Sequence, residues 1–200
     1  MWEAKLEPYV IIYRAGMSAC WKDGQWQRAV ALLSELWEAR LEPDVISCNV
    51  GISACEKAGQ WEQAVSLLNE IRDKKLEPSV ISYSAGMSAC EKGGQWQLAV
   101  ALLSAMWNSK VEPNVSYNAG ISACVKGGQW QRAVALFREM WDSKLEPSVI
   151  SCNSVISACE KARQWEQAMS LFNDIRQKTL EPDSATALGS ARAGKAGSGS

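Results

Sequence analysis

The nonapeptide SACEKGGQW, residues 88–96, gathers a thiol, a carboxylate, an ammonium, two glycines and an indole. That set could serve redox chemistry, metal binding or a nucleotide cradle. Near-copies stand at 18–26 (SACWKDGQW), 53–61 (SACEKAGQW), 122–130 (SACVKGGQW) and 157–165 (SACEKARQW). The rest of the chain narrows what they can do. No histidine occurs in the 200 residues, which removes the commonest general base and the commonest metal ligand together. Cys20, Cys55, Cys90, Cys124 and Cys159 fall one per copy, and Cys48 and Cys152 lie seven residues before Cys55 and Cys159. On a helix that offset spans roughly 10 Å, too long for a disulfide and wrong for C-x-x-C chelation. The cysteines therefore read as small buried apolar residues in a reducing compartment. Without histidine, neither a cysteine–histidine dyad nor the H-x-E of zinc deaminases can be assembled. The reading is of a non-enzyme, with no catalytic residue, metal or cofactor.

The elements that position the motif follow from its spacing. Aligned on the motif, the chain divides into units 6–40, 41–75, 76–110, 111–144 and 145–179, each opening LEP or VEP, with a period of 35 and one residue lost in the fourth. Self-similarity at this period marks stacked supersecondary units. In the third unit Val80, Tyr83, Met87 and Cys90 recur at helical steps, and Trp96, Ala99, Val100, Leu103 and Met106 do so after the glycines. Each unit is thus predicted to be a helical hairpin, with helix A near 80–92, a turn at Gly93 and Gly94, and helix B near 95–109. Proline breaks the chain before the next helix A. Asp44, Ser79, Asn114, Ser148 and Asp183 follow the prolines as good N-caps, with Tyr9 the exception. The glycines make the turn, since a phosphate cradle would need a preceding strand. Arg163 replaces one of them, and strain is expected if it turns left-handed. The tryptophans follow helix B's apolar period and are expected to fill gaps between neighbouring B helices.

Composition and charge set outer limits. A hydrophobic content of 47% permits a buried core, and a formal charge of −1 with pI about 5.7 excludes gripping polyanions by bulk charge. No apolar run approaches the ~20 residues of a membrane span. MWEAKLEP at the start matches the end of a helix B, so residues 1–5 read as the end of a truncated preceding repeat in a longer array. From 184 to 200 the apolar stripe fades, and a degenerate helix A to about 192 is expected, then a disordered Gly/Ser/Ala tail.

The unit VISYSAGMSACEKGGQWQLAVALLSAMWNSKVEPN resembles a pentatricopeptide repeat, a family typified by a hydrophobic start, Tyr-Asn, an Ile-Ser-Ala-Cys-x-Lys-x-Gly run and a closing Pro-Asp. Family members often carry glycine just after helix B, where this chain has Arg40, Lys75, Lys110, Lys144 and Thr179. The resemblance implies an all-α, right-handed superhelix whose A helices line a groove for single-stranded RNA, one nucleotide per repeat. In the family a base is chosen by a polar residue in the first turn of helix A and by the residue preceding the next one. Carried over, the pairs are Arg14 with Asp44, Asn49 with Ser79, Ser84 with Asn114, Asn118 with Ser148, and Asn153 with Asp183. The family's pairing rules then give 5′-x-C-A-C-U-3′. Amides and hydroxyls can pair with a base's Watson–Crick edge, and the second member of each pair would serve equally as an N-cap. Ile11, Ile46, Ile81, Val115 and Ile150 would clamp bases, or else pack between repeats. Lys22, Lys57, Lys92, Lys126 and Lys161, ending every helix A, would meet phosphates or simply suit the helix dipole. The resemblance also implies organellar RNA processing, stability or editing, in a mitochondrion or plastid. The alternative is a protein-binding scaffold, since helical solenoids offer concave surfaces to peptides as well.

Overall fold

The computed structural model describes residues 7–41, 43–109 and 114–180, and of these the side chains of 9–41, 43–109 and 116–177. The expected remnant at 1–5, the degenerate helix and tail after 183, Asp183, and the side chains of Asn114 and Val115 lie outside the described residues. Among the described residues ten helices follow one another: α1 (Glu7–Lys22), α2 (Trp26–Glu38), α3 (Val45–Lys57), α4 (Trp61–Asp73), α5 (Val80–Lys92), α6 (Trp96–Asn108), α7 (Asn114–Lys126), α8 (Trp130–Asp142), α9 (Val149–Lys161) and α10 (Trp165–Leu180). They form antiparallel hairpins stacked as a right-handed α-α superhelix. Among the described residues no helix is long and apolar enough to cross a membrane.

The recurrent motif builds the turn of each hairpin. In the third unit the Gln95 N–H donates to the Cys90 carbonyl at 2.8 Å and the Gly94 N–H to the Glu91 carbonyl, and the same bonds recur in all five units. Such a bond from six residues to one satisfies the last carbonyls of helix A and needs a left-handed residue inside it. Gly24, Gly59, Gly94 and Gly128 supply that residue, and Arg163 supplies it with φ 57°. The cysteine side chains point the other way, and Cys55, Cys90, Cys124 and Cys159 are fully buried. Their burial pushes the thiols of Cys55, Cys90 and Cys124 up to about 11, and that of Cys48, also facing the carboxylates of Glu70 and Asp44, up to about 12. Thiols held protonated are poor nucleophiles and poor metal ligands, so the motif's cysteine is a packing residue.

The leading helices α1, α3, α5, α7 and α9 stack on one another, and each trailing helix packs on its own leading helix and on the next. Among the described residues, trailing helices do not approach one another by main chain within 8 Å. The tryptophans are therefore placed differently from expectation in part. Trp37 does meet the next trailing helix, where the Lys74 ammonium sits 3.5 Å over its ring. Trp61 and Trp96 instead lie over the turn of the following unit, against Gly93 and Gly127. The reason is geometric: with the leading helices in contact, the turns become the nearest neighbours of each trailing helix's first residue.

Candidate nucleic-acid interface

A stack of leading helices presents whatever each helix carries off its apolar stripe. Ile81, Ser88 and Lys92 are separated by seven and eleven residues, two and three helical turns, so they share one face of α5. That face is open to solvent: Ile46 and Ile81 are 57% and 62% exposed, and Ile11 and Ile150 also project outward. Exposed isoleucines at one register in the first, second, third and fifth units are not packing residues of the core. They form a ladder of apolar rungs along the surface of the stack.

Beside each rung stands a polar pair that joins two units. Arg14 Nη1 donates to Asp44 Oδ2 at 3.3 Å, Asn49 Nδ2 donates to Ser79 Oγ at 3.1 Å, and Ser148 Oγ donates to Asn118 Oδ1 at 3.4 Å. These are three of the five pairs read from the sequence, brought together across the boundary between units. Ser84 does not show its pairing with Asn114, whose side chain lies outside the described residues, and instead shares a hydrogen bond with Ser116 at 3.0 Å. Asn153 is exposed, and its partner Asp183 lies outside the described residues.

In the three pairs that the described residues bring together, the second member is also a cap. Asp44, Ser79 and Ser148 have extended backbones and accept the N–H of Ser47, Ser82 and Ser151 at 2.8, 3.3 and 3.1 Å. Capping fixes their side chains at the mouth of the next leading helix, pointing back toward the preceding unit. α1, which has Tyr9 at this register, begins earlier, at Glu7.

Sequence reasoning missed a third participant. Ser47, Ser82, Ser116 and Ser151 are buried polar residues at the third position of α3, α5, α7 and α9. Ser82 Oγ donates to Asn49 Oδ1 at 2.5 Å, so the Asn49 amide is held at both ends and is only 9% exposed. Of its two N–H donors and two acceptor lone pairs, one of each is used, leaving one of each for a further partner. The signal was available: these serines recur in VIS, VIS, VS and VIS, where only Ile12 of the first unit departs. A small hydroxyl repeated on an otherwise apolar stretch needs a polar partner across the interface.

The lysines occupy the other end of the same face. Lys57 donates to the carbonyls of Trp21 and Lys22, whereas Lys92 and Lys126 pair with Glu56 and Glu91 of the preceding unit. Lys22 and Lys161 are exposed and make no ion pair among the described residues. Also among the described residues, no group of three or more acidic or thiol side chains could hold a metal ion.

This arrangement has relatives. The profile described as the PPR repeat family matches residues 43–92 and 147–187, and that described as the PPR repeat matches 115–145, together more than half of the chain. The crystal structure of the pentatricopeptide repeat protein PPR10 from maize is similar with a TM-score of 0.66 and 26% identity, over 87% of this chain and 25% of that one. The same protein in complex with an 18-nt psaJ RNA element gives 0.65 and 26%, over 84% and 25%. The PPR domain of Arabidopsis thaliana protein-only RNase P 1, in complex with tRNA, gives 0.73 over 88% of this chain and 94% of that one. Its 13% identity makes that a likeness of fold. The chain spans about a quarter of the maize protein's length. No curated protein matches the sequence.

Proposed function

Because the chain belongs to the pentatricopeptide repeat family, we propose that its leading-helix face binds single-stranded RNA, one base per repeat. The observation that carries this reading is the Asn49–Ser79 pair, 3.1 Å apart across two units and flanked by the exposed Ile46 and Ile81. A base inserted between two isoleucines would meet, at its edge, an amide with one donor and one acceptor still open. Arg14 with Asp44 and Asn118 with Ser148 repeat the arrangement before and after it. The maize relative was crystallised with an RNA element, which supports the same use here.

The finer reading is 5′-x-C-A-C-U-3′, with x facing Arg14 and Asp44. Those two side chains form an ion pair across the boundary, so the first position has no open amide and its base is left unspecified. Ser84 with Asn114 would take adenine, Asn118 with Ser148 cytosine, and Asn153 with Asp183 uracil. The row of Lys22, Lys57, Lys92, Lys126 and Lys161 would follow the path of the strand, with Lys92 and Lys126 already paired to glutamates, and Ile11, Ile46, Ile81, Val115 and Ile150 would hold the bases apart. The role is binding rather than catalysis, in the processing, stability or editing of RNA in a mitochondrion or plastid. Imaging the full-length protein as a fluorescent fusion tests the compartment.

Base stacking contributes about 1–3 kcal/mol per base, less the cost of ordering a flexible strand, so five repeats bind weakly on their own. Selection from a randomised RNA pool is the decisive experiment. Enrichment of CACU, with the first cytosine preference moving when Asn49 and Ser79 are exchanged, is the expected result. Equal binding of GGGGG would overturn the base assignment, and indifference to all RNA alongside capture of a protein would favour a scaffold.

A further inference from the structure

The lysine row is not uniform, and its irregularity follows from one register position. Lys92 Nζ lies 2.6 Å from Glu56 Oε1 and also donates to the Glu56 carbonyl at 3.1 Å. Lys126 Nζ lies 2.9 Å from Glu91 Oε1. Each carboxylate is held in place by a serine of the next leading helix: Ser88 Oγ donates to Glu56 at 3.0 Å and Ser122 Oγ to Glu91 at 2.7 Å. In the first unit Trp21 takes the glutamate's register, and Lys57 donates to the neutral carbonyls of Trp21 and Lys22 while sitting over the Trp21 ring. In the fourth unit Val125 takes it, and Val125 and Lys161 line one cavity with Gly128, Trp130, Ala158 and Ala162. Glu160 and Asp23 adjoin Lys161 and Lys22 in sequence but form no ion pair with them.

We propose that Glu56 and Glu91 are resident competitors for the RNA backbone, occupying the ammonium groups of Lys92 and Lys126 so that the strand is held electrostatically at Lys22, Lys57 and Lys161. This rests on the RNA reading above. A phosphodiester carries the same single negative charge as the carboxylate it would displace, so the exchange gains no net charge pairing. It also leaves a freed carboxylate, still tethered by its serine, beside a polyanion. The backbone track is therefore interrupted over the third and fourth units, where recognition falls to the bases. The register residue Glu56, Trp21, Glu91 or Val125 decides in each unit whether the next lysine is available.

The test is the salt dependence of binding by the full chain to a single-stranded oligoribonucleotide containing CACU, followed by fluorescence anisotropy. Each phosphate contact on a single strand contributes about 0.7 to the slope of log affinity against log salt. Glu56→Gln with Glu91→Gln keeps an acceptor for Ser88 and Ser122 but frees two ammonium groups, and the slope is expected to steepen by roughly 1.4. Val125→Glu places a carboxylate against Lys161, and the slope is expected to flatten by about 0.7. Thermal unfolding of each variant confirms that the stack is intact. RNA binding with slopes unchanged in both variants overturns the competitor role alone. Failure of wild type and variants to bind any RNA overturns the reading beneath it as well.

Discussion

Trp61 lies over Gly93 of the following unit so closely that a β-carbon at 93 would overlap the indole at Cδ1, and Trp96 stands in the same relation to Gly127, at 2.5 Å. At these two positions the indole of the preceding unit occupies the space a β-carbon would need. Arg132 lies over the Trp96 ring at 5.3 Å, which limits how far that indole can retreat. Gly127→Ala is expected to destabilise the fold by about 1–3 kcal/mol, the usual range for overpacking. Urea unfolding of the single variant, and of a double variant with Trp96→Leu, checks the cause. Relief of most of the loss in the double variant is expected, since residues in contact are not additive.

Arg40, Lys75, Lys144 and Arg163 have φ of 53°, 59°, 60° and 57°. The first three follow trailing helices and the last follows α9, and each closes the helix end with backbone bonds, such as Leu41 N–H to the Leu36 carbonyl at 3.1 Å. A side chain in this left-handed region costs roughly 1–2 kcal/mol relative to the right-handed one, and glycine avoids that cost while losing more entropy on folding. Substituting glycine at each position is expected to stabilise by about 0.5–1 kcal/mol net. Thermal unfolding of the Arg163→Gly variant and of the fourfold variant gives the increments; a lower melting temperature would show that these side chains contribute contacts of greater worth.

Much of this structure was legible in the residues themselves. The prolines, the turn glycines and the helical period of Val80, Tyr83, Met87 and Cys90 place α5 at Val80–Lys92 almost to the residue. Local chemistry sufficed there because each signal acts within its own unit. The contacts between units were harder to read. Ser82 reaching Asn49, Ser122 reaching Glu91 and Trp61 covering Gly93 all span more than thirty positions. Their geometry depends on how far each hairpin rotates against the next, which no single unit encodes. The repeated serine and glutamate were visible as repeats, but their partners follow only from the stacking of leading helix on leading helix.

The buried thiols give the fold an alkaline limit. Cys55, Cys90 and Cys124 are pushed up to about 11 and Cys48 to about 12, chiefly by burial. A group whose pKa is raised on folding favours the folded state fully below its ordinary value, and that contribution is lost as pH rises toward the folded one. The melting temperature is therefore expected to hold to about pH 8.5 and to fall progressively above it, toward pH 11, since the free thiol titrates near 8.5. Replacing Cys55, Cys90 and Cys124 by alanine should lower stability at neutral pH yet flatten this alkaline decline. At pH 8, iodoacetamide should modify the half-exposed Cys20 and Cys152 before the buried five.

Ser79 has two partners, and they make different demands. Its Oγ accepts the Ser82 N–H at 3.3 Å as the cap of α5, and accepts Asn49 Nδ2 at 3.1 Å as its link to the preceding unit. Ser79→Asp keeps a capping acceptor, as Asp44 does for α3 at 2.8 Å, so stability should change by only a few tenths of a kcal/mol. The pair becomes Asn with Asp, which the family's pairing rules assign to uracil, and RNA carrying uracil at that position should now bind more tightly than RNA carrying cytosine. Ser79→Ala removes the cap at a cost of about 1 kcal/mol and leaves the Asn49 amide without its partner. Mobility-shift titrations with four RNAs differing at this one base separate the roles. A shift of preference in the aspartate variant assigns Ser79 to base reading, whereas an equal loss on all four RNAs in both variants would leave it a helix cap and nothing more.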